Sequence, residues 1–328
     1  MNEYIAALVD EFARLGITYA VFSPGSRSTT MAMLFREHGA FETYMNIDER
    51  SAGFMALGIA KVHRKPVILV CTSGSAVAHY MPAVLEAQYS GVPLIILSAD
   101  RPHTLQHVGA PQTVDQQKIF GTAVNYYEEL AVPQQEHYYT YPRLVARKAY
   151  MKSMDVKRGP VHINVPLFEP LVPELDRKHF ECGRRPFSVV PAAIQPGDAC
   201  TIYDLLANKK VLILAGPSTN LEDTDAILGL SNIFHAPILG DPLSNIRRVY
   251  DERVITSYDA LLSQEVYRDT LRPDCILQIG QMVVSKRVQQ WVASMQHIPI
   301  ISVSPTMDYT NPAGNTTLFV QSTPQGLV

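Results

Sequence analysis

Strongly apolar runs alternate with helical patterns along the first half of the chain, and this alternation constrains the fold most. The runs at 66–71 and 92–98 are apolar at almost every position, as expected of strands buried on both faces of a sheet. Elsewhere, as over 5–12, apolar residues recur at helical spacing. Strands that alternate with helices form a parallel sheet covered on both sides. The sequence therefore predicts an α/β fold with a doubly wound parallel sheet.

A proline-rich stretch interrupts the alternation, which then restarts. Six prolines fall within 166–196, a composition typical of a linker. Further strand-like runs follow it, at 211–215, 236–239, 275–279 and 298–303. Two α/β domains account for 328 residues better than one. We therefore predict a first domain over 1–170, a linker over 171–190 and a smaller second domain over 191–328.

The composition of the chain argues against nucleic acid and membranes as binding partners. The net charge of -3 and the pI near 6.4 give no basic field for nucleic acid or a membrane surface. No apolar run reaches the roughly 18 residues of a membrane span, and the first residues lack a signal-peptide pattern. The cysteines form no CxxC pair, and Cys71 and Cys275 lie in apolar runs as buried thiols would. We expect a cytoplasmic protein without a zinc site.

Polar loops follow the predicted strands, where parallel sheets bind ligands. The loop Ser-Pro-Gly-Ser-Arg-Ser at 23–28 places Ser26 and Arg27 near a helix N-terminus, where they could hold a carboxylate or a phosphate. A capped turn with a solvent-facing arginine explains this loop equally well. In Asp48-Glu49-Arg50, helix capping is the simpler interpretation, and a carboxylate aimed into the cleft is the functional one.

Two further loops of the first domain carry candidate groups. Thr-Ser-Gly-Ser at 72–75 would let the backbone approach a ligand and supply N–H donors, and no lysine follows as it would in a Walker motif. We expect His79, after this loop, to be packed. The long polar stretch after Asp100 carries Arg101 and Gln112, which either face the cleft or belong to a surface loop pinned by Asp100.

The second domain offers one comparable feature. Ser285-Lys286-Arg287 opens a predicted helix, and two cations at a helix N-terminus oppose the helix dipole. An anionic ligand would relieve this misfit, although a solvated charge pair is also consistent with it. The sequence Gly240-Asp241-Pro242 predicts a turn.

Taken together, these loops resemble the family of 2-succinyl-5-enolpyruvyl-6-hydroxy-3-cyclohexene-1-carboxylate synthases. The resemblance is carried by strings that match in order and spacing: Ser-Pro-Gly-Ser-Arg-Ser at 23–28, Asp-Glu-Arg-Ser-Ala at 48–52, Cys-Thr-Ser-Gly-Ser-Ala at 71–76, Ser-Ala-Asp-Arg-Pro at 98–102 and Val-Gly-Ala-Pro-Gln-Thr at 108–113. The second domain matches more loosely, through 285–287. One departure is Pro111, where the family usually has asparagine, and a polar contact there is in doubt.

The resemblance implies a thiamine-diphosphate enzyme of menaquinone biosynthesis. Such enzymes have pyrimidine-binding, central and diphosphate-binding domains, and the match covers the first two. The Gly-Asp-Gly motif expected of the third domain does not occur in this sequence. By the resemblance, this chain is a truncated part that is inactive alone, binds the cofactor weakly and carries no metal ligand, whereas the full-length enzyme holds thiamine diphosphate and Mg²⁺.

The same resemblance assigns roles to the candidate residues. Glu49 would be the catalytic carboxylate that hydrogen-bonds the pyrimidine ring of the cofactor, and Ser73 and Gly74 would also contact the cofactor. The reaction would be the decarboxylation of 2-oxoglutarate and the addition of the resulting carbanion to isochorismate. Both substrates are dicarboxylates, and their anchors would be Ser26, Arg27, Arg101, Gln112, Lys286 and Arg287. The active site would lie between subunits of a homodimer or homotetramer.

Two alternatives stay open at this point. Another thiamine-diphosphate carboligase or decarboxylase, similar to acetolactate synthase, would keep the cofactor and change the substrates. A non-catalytic module that binds an anion or assembles with itself would need neither the cofactor nor these substrates. The cations at Arg27 and Arg101 argue against small neutral acceptors.

Overall fold

The computed structural model describes residues 2–131, 133, 138–184, 199–218, 220–295, 297–306, 310–312 and 316–328. The chain divides into two compact units, Met1–Val190 and Pro191–Val328. Each unit contains a six-stranded sheet in which all pairs of neighbouring strands are parallel. The predicted fold class, two parallel-sheet α/β domains, is therefore confirmed. Within the described part of the chain, no helix has the length and hydropathy that crossing a membrane requires.

The first unit alternates strands and helices as the sequence predicts. Its strands are Tyr19–Phe22 (β1), Glu42–Met45 (β2), Val67–Cys71 (β3), Leu94–Asp100 (β4), Tyr126–Glu129 (β5) and Pro160–Pro166 (β6). Its α-helices are Asn2–Arg14 (α1), Thr29–His38 (α2), Glu49–His63 (α3), Met81–Ser90 (α4) and Thr140–Ser153 (α5). The sequence over 76–89 predicts a helix, but its first part forms a 3₁₀ turn, Ser75–Tyr80, before α4.

The sheet of the first unit is buried on both faces. Side chains of β3 alternate between two cores: Ile68 and Val70 pack with α1, α2 and α5, and Leu69 and Cys71 pack with α3 and α4. The strand order is β2-β1-β3-β4-β6-β5, so the chain reverses its direction of winding between β1 and β3. Ligands bind at such a switch point in open parallel sheets.

The second unit repeats this architecture in a shorter form. Its strands are Val211–Ala215 (β7), Ile238–Gly240 (β8), Val254–Ile255 (β9), Cys275–Ile279 (β10), Ile300–Ser304 (β11) and Leu318–Gln321 (β12). Its helices are Ala199–Leu206 (α6), Glu222–Phe234 (α7), Tyr258–Leu261 (α8), Glu265–Leu271 (α9) and Lys286–Ser294 (α10). The strand order is β12-β11-β10-β7-β8-β9, which puts its switch point between β7 and β10. Cys71 and Cys275 are free and buried, as predicted.

Much of the stretch predicted as a linker packs on the first unit. Leu171 contacts the core of the first unit, and Phe180 is buried in it. A 3₁₀ turn, Arg177–Phe180, contacts α1. The predicted linker from 185 to 190 lies outside the described residues. The described part, 171–184, is therefore folded against the sheet domain rather than extended between two domains.

A buried ion-pair network fastens this segment to α1 and α5. Arg143 is 2% exposed and donates to Asp10 Oδ2 at 2.7 Å and to Glu11 Oε2 at 2.8 Å. It also donates to the carbonyl oxygen of Phe180 at 2.7 Å. Arg184 donates to Asp10 Oδ1 at 2.6 Å. Because two carboxylates and a backbone carbonyl surround one guanidinium, the buried charges are compensated.

The hydrogen bonds of this network change the pKa of Asp10. Burial alone would raise the pKa of Asp10, but hydrogen bonds from His38, Arg184 and Arg143 outweigh it, and the pKa lies well below its ordinary value. A carboxyl group with a depressed pKa in the folded state stabilises the fold above the pKa of the unfolded chain. This contribution is lost as the pH falls below that value.

Replacing Arg143 with Met should lower the free energy of unfolding of the first unit by about 3 kcal/mol, the lower end of the cost of breaking a buried pair. The lower end applies because Arg184 still contacts Asp10 and Arg147 still contacts Glu11. Urea denaturation followed by far-UV circular dichroism measures the change. The matched control is Lys61→Met, which removes an exposed ion pair with Glu86 and should cost at most about 0.5 kcal/mol. Equal effects of the two substitutions would contradict the structural role of Arg143.

The stability of the first unit should fall between pH 6 and pH 3 partly through Asp10. Since its folded-state pKa is depressed, the unfolded chain takes up the proton first, near pH 4, and acid favours unfolding. Urea midpoints at several pH values should decline more steeply for the wild type than for Asp10→Asn. Parallel pH profiles for the two proteins would refute this assignment.

Candidate active site

Two loops meet at the switch point of the first unit. A Cβ atom added to Gly25 would lie 2.3 Å from Cβ of Thr72, so only glycine allows the loops at 23–28 and 72–75 to pack this closely. The backbone N–H of Ser23 donates to the carbonyl of Val70 at 2.9 Å. The hydroxyl of Tyr80 donates to Ser23 Oγ at 3.2 Å. The loop after β1 is therefore held against the end of β3.

Arg27 lies inside this edge of the sheet. It is 3% exposed, so the interpretation of a solvent-facing arginine is wrong. Its Nη1 donates to the carbonyl of Leu167 at 3.0 Å, and its Nη2 is 3.5 Å from Oε1 of the exposed Glu169. Its buried Nε has no hydrogen-bond partner among the described residues. Ser28 precedes α2 without a side-chain cap, and Ser26 is exposed.

Arg101 is the second cation at this edge. Burial and the nearby charge of Arg101 lower the pKa of Arg27, against smaller opposite effects of Glu169 and Asp100. Arg101 donates through Nε and Nη2 to the carbonyl of Pro111, at 3.4 and 3.2 Å. The proline lacks a donor, but its carbonyl still makes a polar contact. Two guanidinium groups close enough to repel each other form a site that an anion would stabilise.

Glu49 is the first residue of α3. Asp48 caps this helix by accepting from the backbone N–H of Ser51 at 2.7 Å, so the capping interpretation holds for Asp48. The side chain of Glu49 is half-buried. Burial raises the pKa of the Cys71 thiol, and the charge of Glu49 raises it further; burial likewise raises the pKa of Tyr80, with a smaller contribution from Glu49. The carboxylate therefore acts on the carboxyl end of β3, beside the loop at 72–75.

In the loop after β3, one of the backbone N–H groups that the sequence predicts as donors to a ligand is already bonded within the fold. The N–H of Gly74 already donates to Oε1 of Gln116 at 2.8 Å. The hydroxyls of Thr72 and Ser73 are buried and lack hydrogen-bond partners within the described structure. Gln112 is exposed and donates through Nε2 to the carbonyl of Ser73 at 2.9 Å. Gln112 thus contacts the loop after β3, and its role as a substrate anchor stays a prediction.

His79 does not fit the sequence prediction. We expected a packed histidine, but the structure leaves this side chain exposed. It lies in the 3₁₀ turn Ser75–Tyr80 instead of on the predicted α-helix. The change from helical to 3₁₀ geometry changes which positions face the sheet.

Sequence reasoning missed a buried polar network behind these loops. Gln116, Asn164 and Asp100 are almost fully buried and are joined by hydrogen bonds. Burial is the main reason that the pKa of Asp100 is raised above its ordinary value. No motif marks Gln116 or Asn164, although a polar residue inside the apolar run at 161–165 was a usable signal for Asn164.

The second unit places its predicted cations at the start of α10. Ser285 caps this helix by accepting from the N–H of Val288 at 3.2 Å. Arg287 donates through Nη1 to Oδ2 of Asp259 at 2.5 Å, and Ser285 donates to Oδ1 of the same carboxylate at 2.5 Å. Asp259 therefore compensates the charge of Arg287, and the dipole misfit needs no ligand there. Lys286 is exposed.

A turn in the second unit supports the segment that carries these cations. Asp241, which we predicted in a turn, is fully buried. It accepts from the backbone N–H groups of Leu243 and Val284, at 2.8 and 2.7 Å. The loop after β8 is thereby joined to the residue that precedes Ser285.

The first unit fits a polar heteroaromatic ligand better than a metal ion. The half-buried carboxylate of Glu49 can hydrogen-bond a ring nitrogen, and the buried hydroxyls of Thr72 and Ser73 have no partner within the described residues. The part of the chain that the structure describes contains no group of three or more His, Cys, Asp or Glu side chains that could hold a metal.

Comparison with known proteins points the same way. Residues 3–119 match the family described as "Thiamine pyrophosphate enzyme, N-terminal TPP binding domain". Residues 192–326 match the family described as "Middle domain of thiamine pyrophosphate". The two matches fall in different units of the structure.

Curated relatives carry a more specific name. The chain is 51% identical over 327 residues to the 2-succinyl-5-enolpyruvyl-6-hydroxy-3-cyclohexene-1-carboxylate synthase of Lactococcus lactis subsp. lactis, with 98% of this chain and 58% of that protein covered. It is 45% identical over 328 residues to the synthase of Desulfitobacterium hafniense, with 99% and 59% covered. The chain thus spans less than two thirds of the length of these relatives.

A solved structure supports the fold. The crystal structure of benzoylformate decarboxylase from Polynucleobacter necessarius matches with a TM-score of 0.69 at 16% identity, over 99% of this chain and 59% of that one. At this identity the likeness concerns the fold alone. From its domain matches and its close relatives, the chain belongs to the thiamine pyrophosphate enzymes and, within them, to the family of the 2-succinyl-5-enolpyruvyl-6-hydroxy-3-cyclohexene-1-carboxylate synthases.

Proposed function

We propose that this chain supplies the pyrimidine-binding and central domains of a cytoplasmic carboligase of menaquinone biosynthesis. The reaction decarboxylates 2-oxoglutarate and joins the remaining fragment to isochorismate, giving 2-succinyl-5-enolpyruvyl-6-hydroxy-3-cyclohexene-1-carboxylate. The observation that carries the proposal is the half-buried carboxylate of Glu49, the first residue of α3, together with the buried hydroxyls of Thr72 and Ser73 at the end of β3, which have no hydrogen-bond partner among the described residues.

Thiamine diphosphate supplies the acyl-anion chemistry of this reaction when it is bound. The part of this chain is to orient the pyrimidine ring. With the cofactor bound, Glu49 would hydrogen-bond a nitrogen of the pyrimidine ring and would hold a proton between that nitrogen and its own carboxylate. Ser73 offers a buried hydroxyl, and the glycine backbone at Gly74 keeps side-chain bulk away from the ring.

The two arginines at the same edge bind a substrate carboxylate. Arg27 has a buried Nε without a partner in the described structure, and the charge of Arg101 lies near it. Ser26 and Gln112 are exposed beside them and can donate further hydrogen bonds. In the second unit, Lys286 is exposed, whereas Arg287 must exchange or share Asp259 to bind an anion.

The site is completed by a diphosphate-binding domain in a homodimer or homotetramer. Three large apolar side chains close to Glu49 in the sequence are exposed: Met45, Ile47 and Phe54. The side chain of Ile47 is 82% exposed. A neighbouring domain that covers them would exclude water from the carboxylate. That domain would carry the Gly-Asp-Gly motif and hold Mg²⁺ with the diphosphate, so these 328 residues alone should not turn over.

The proposal is tested by joining this chain to the part of the Lactococcus lactis synthase that lies outside the match. With thiamine diphosphate and Mg²⁺, the assembled enzyme should release CO₂ from 2-oxoglutarate and consume isochorismate. The chain alone should be inactive. Activity on pyruvate alone, with none on 2-oxoglutarate plus isochorismate, would favour an enzyme similar to acetolactate synthase and overturn the proposal.

Glu49→Gln should lower kcat of the assembled enzyme about 10² to 10⁴-fold, the usual contribution of a positioned acid–base group. The amide keeps the shape of the side chain but cannot share a proton in the same way. Glu86→Gln, an exposed carboxylate on α4, is the matched control and should leave kcat within about twofold. Steady-state rates at saturating cofactor decide between the two outcomes, and a kcat equal to that of the control would remove Glu49 from the reaction.

Arg27→Ala should raise the KM of a dicarboxylate substrate about 10 to 100-fold, as expected from loss of a charge-assisted hydrogen bond. Arg36→Ala, an exposed arginine on α2, serves as the control. The KM values for 2-oxoglutarate and isochorismate, measured separately, identify the substrate that Arg27 binds. Unchanged KM values for both would show that the arginine pair is structural.

A further inference from the structure

Gln116 occupies a buried position between three parts of the first unit. It is 1% exposed, and its Oε1 accepts from the backbone N–H of Gly74 at 2.8 Å. Its Nε2 donates to the carbonyl of Ala99 at 3.2 Å and to Oδ1 of Asn164 at 2.9 Å. One side chain therefore joins the loop after β3 to the ends of β4 and β6.

Gln116 is hydrogen-bonded to Asn164, which further buried contacts hold in place. Asn164 is fully buried. Its Oδ1 also accepts from Ser98 Oγ at 2.8 Å, and its Nδ2 donates to Oδ2 of Asp100 at 2.8 Å and to Oε2 of Glu129 at 3.1 Å. Asp100 in turn accepts from the backbone N–H of Arg101 at 2.7 Å. The same amide thus supports the loop at 72–75 and the residue that precedes Arg101.

The backbone at Gly74 needs such a support. Its φ is +91° and its ψ is -146°, a region that is accessible to glycine and costly to most residues. No strand pairing holds this residue, since β3 ends at Cys71. Two side chains hold the Ser73–Gly74 peptide: the buried Gln116 accepts from its N–H at 2.8 Å, and the exposed Gln112 donates to its carbonyl at 2.9 Å. Of the two, only Gln116 is also tied to the strands of the sheet through buried hydrogen bonds.

We propose that Gln116 is a positioning residue, which sets the loop at 72–75 relative to the carboxylate-binding arginines through Asn164. This inference rests on the proposed function for its catalytic consequence. On the proposed function, Gln116 would touch no reacting atom; it would act through Gly74 and Ser73, which would contact the cofactor. Its loss should weaken cofactor binding more than it slows the chemical step.

The geometric part is tested on this chain by amide hydrogen exchange. Gln116→Met keeps the length of the side chain and removes its acceptor, so the N–H of Gly74 should exchange about tenfold faster, as expected for one net hydrogen bond. Gln116→Glu keeps an acceptor at the same place and should restore the protection of Gly74. Gln117→Leu, at the exposed neighbouring position, is the control. Unchanged exchange at Gly74 in Gln116→Met, or equal acceleration throughout the unit, would overturn the proposal.

The catalytic part is tested in the assembled enzyme described above. Gln116→Met should raise the KM of thiamine diphosphate about tenfold and leave kcat within about twofold, a pattern opposite to that expected of Glu49→Gln. Equal losses in kcat and in folded protein would reduce Gln116 to a structural role and overturn the inference. If the assembled wild type is inactive, the proposed function fails, and the exchange experiment still decides whether Gln116 positions the loop.

Discussion

Burial of both faces of the central strands is the constraint on which the rest of the structure depends. Every residue of β3, β4 and β6 is buried, so the faces of the sheet are occupied by the helices. A ligand can then reach polar groups of the sheet only where the strands end. The loops after β1 and β3 meet there, because the winding of the sheet reverses between these strands. The location of the candidate site is a consequence of how the sheet is covered.

The two buried arginines of the first unit, Arg143 and Arg27, differ in how their charges are compensated. Arg143 is surrounded by the buried carboxylates of Asp10 and Glu11, which compensate its charge within the fold. Arg27 is equally buried, but its contacts are a backbone carbonyl and a carboxylate that is itself exposed. An under-compensated buried cation stabilises the fold poorly. It therefore suits an anionic ligand, which would complete its coordination on binding.

The parts of the fold that follow from apolar periodicity could be predicted from the sequence. The positions of apolar residues predict strands β3 and β4, helix α1 and the division into two domains. Strand β5 was missed because its residues, Tyr126–Glu129, are half-buried without a clear alternation. The folding of 171–184 onto the first unit was also missed, because proline content reports chain stiffness and not tertiary contacts such as those of Phe180.

The candidate site could likewise be predicted only in part from the sequence. Short strings in the loops identified the positions of Arg27, Glu49 and Arg101, since these residues lie at strand ends. The strings could not show that the N–H of Gly74 donates to Gln116, or that Asp259 compensates the charge of Arg287. Both depend on side chains that are distant in sequence, 42 and 28 positions away. The loops present their chemistry only because buried amides and carboxylates fix their backbones, so the support of the site is a property of the tertiary structure. Glu49 is half-buried, and apolar side chains close to it in the sequence are exposed. On the proposed function, the first unit would orient this carboxylate, and a second surface would have to cover it to exclude water.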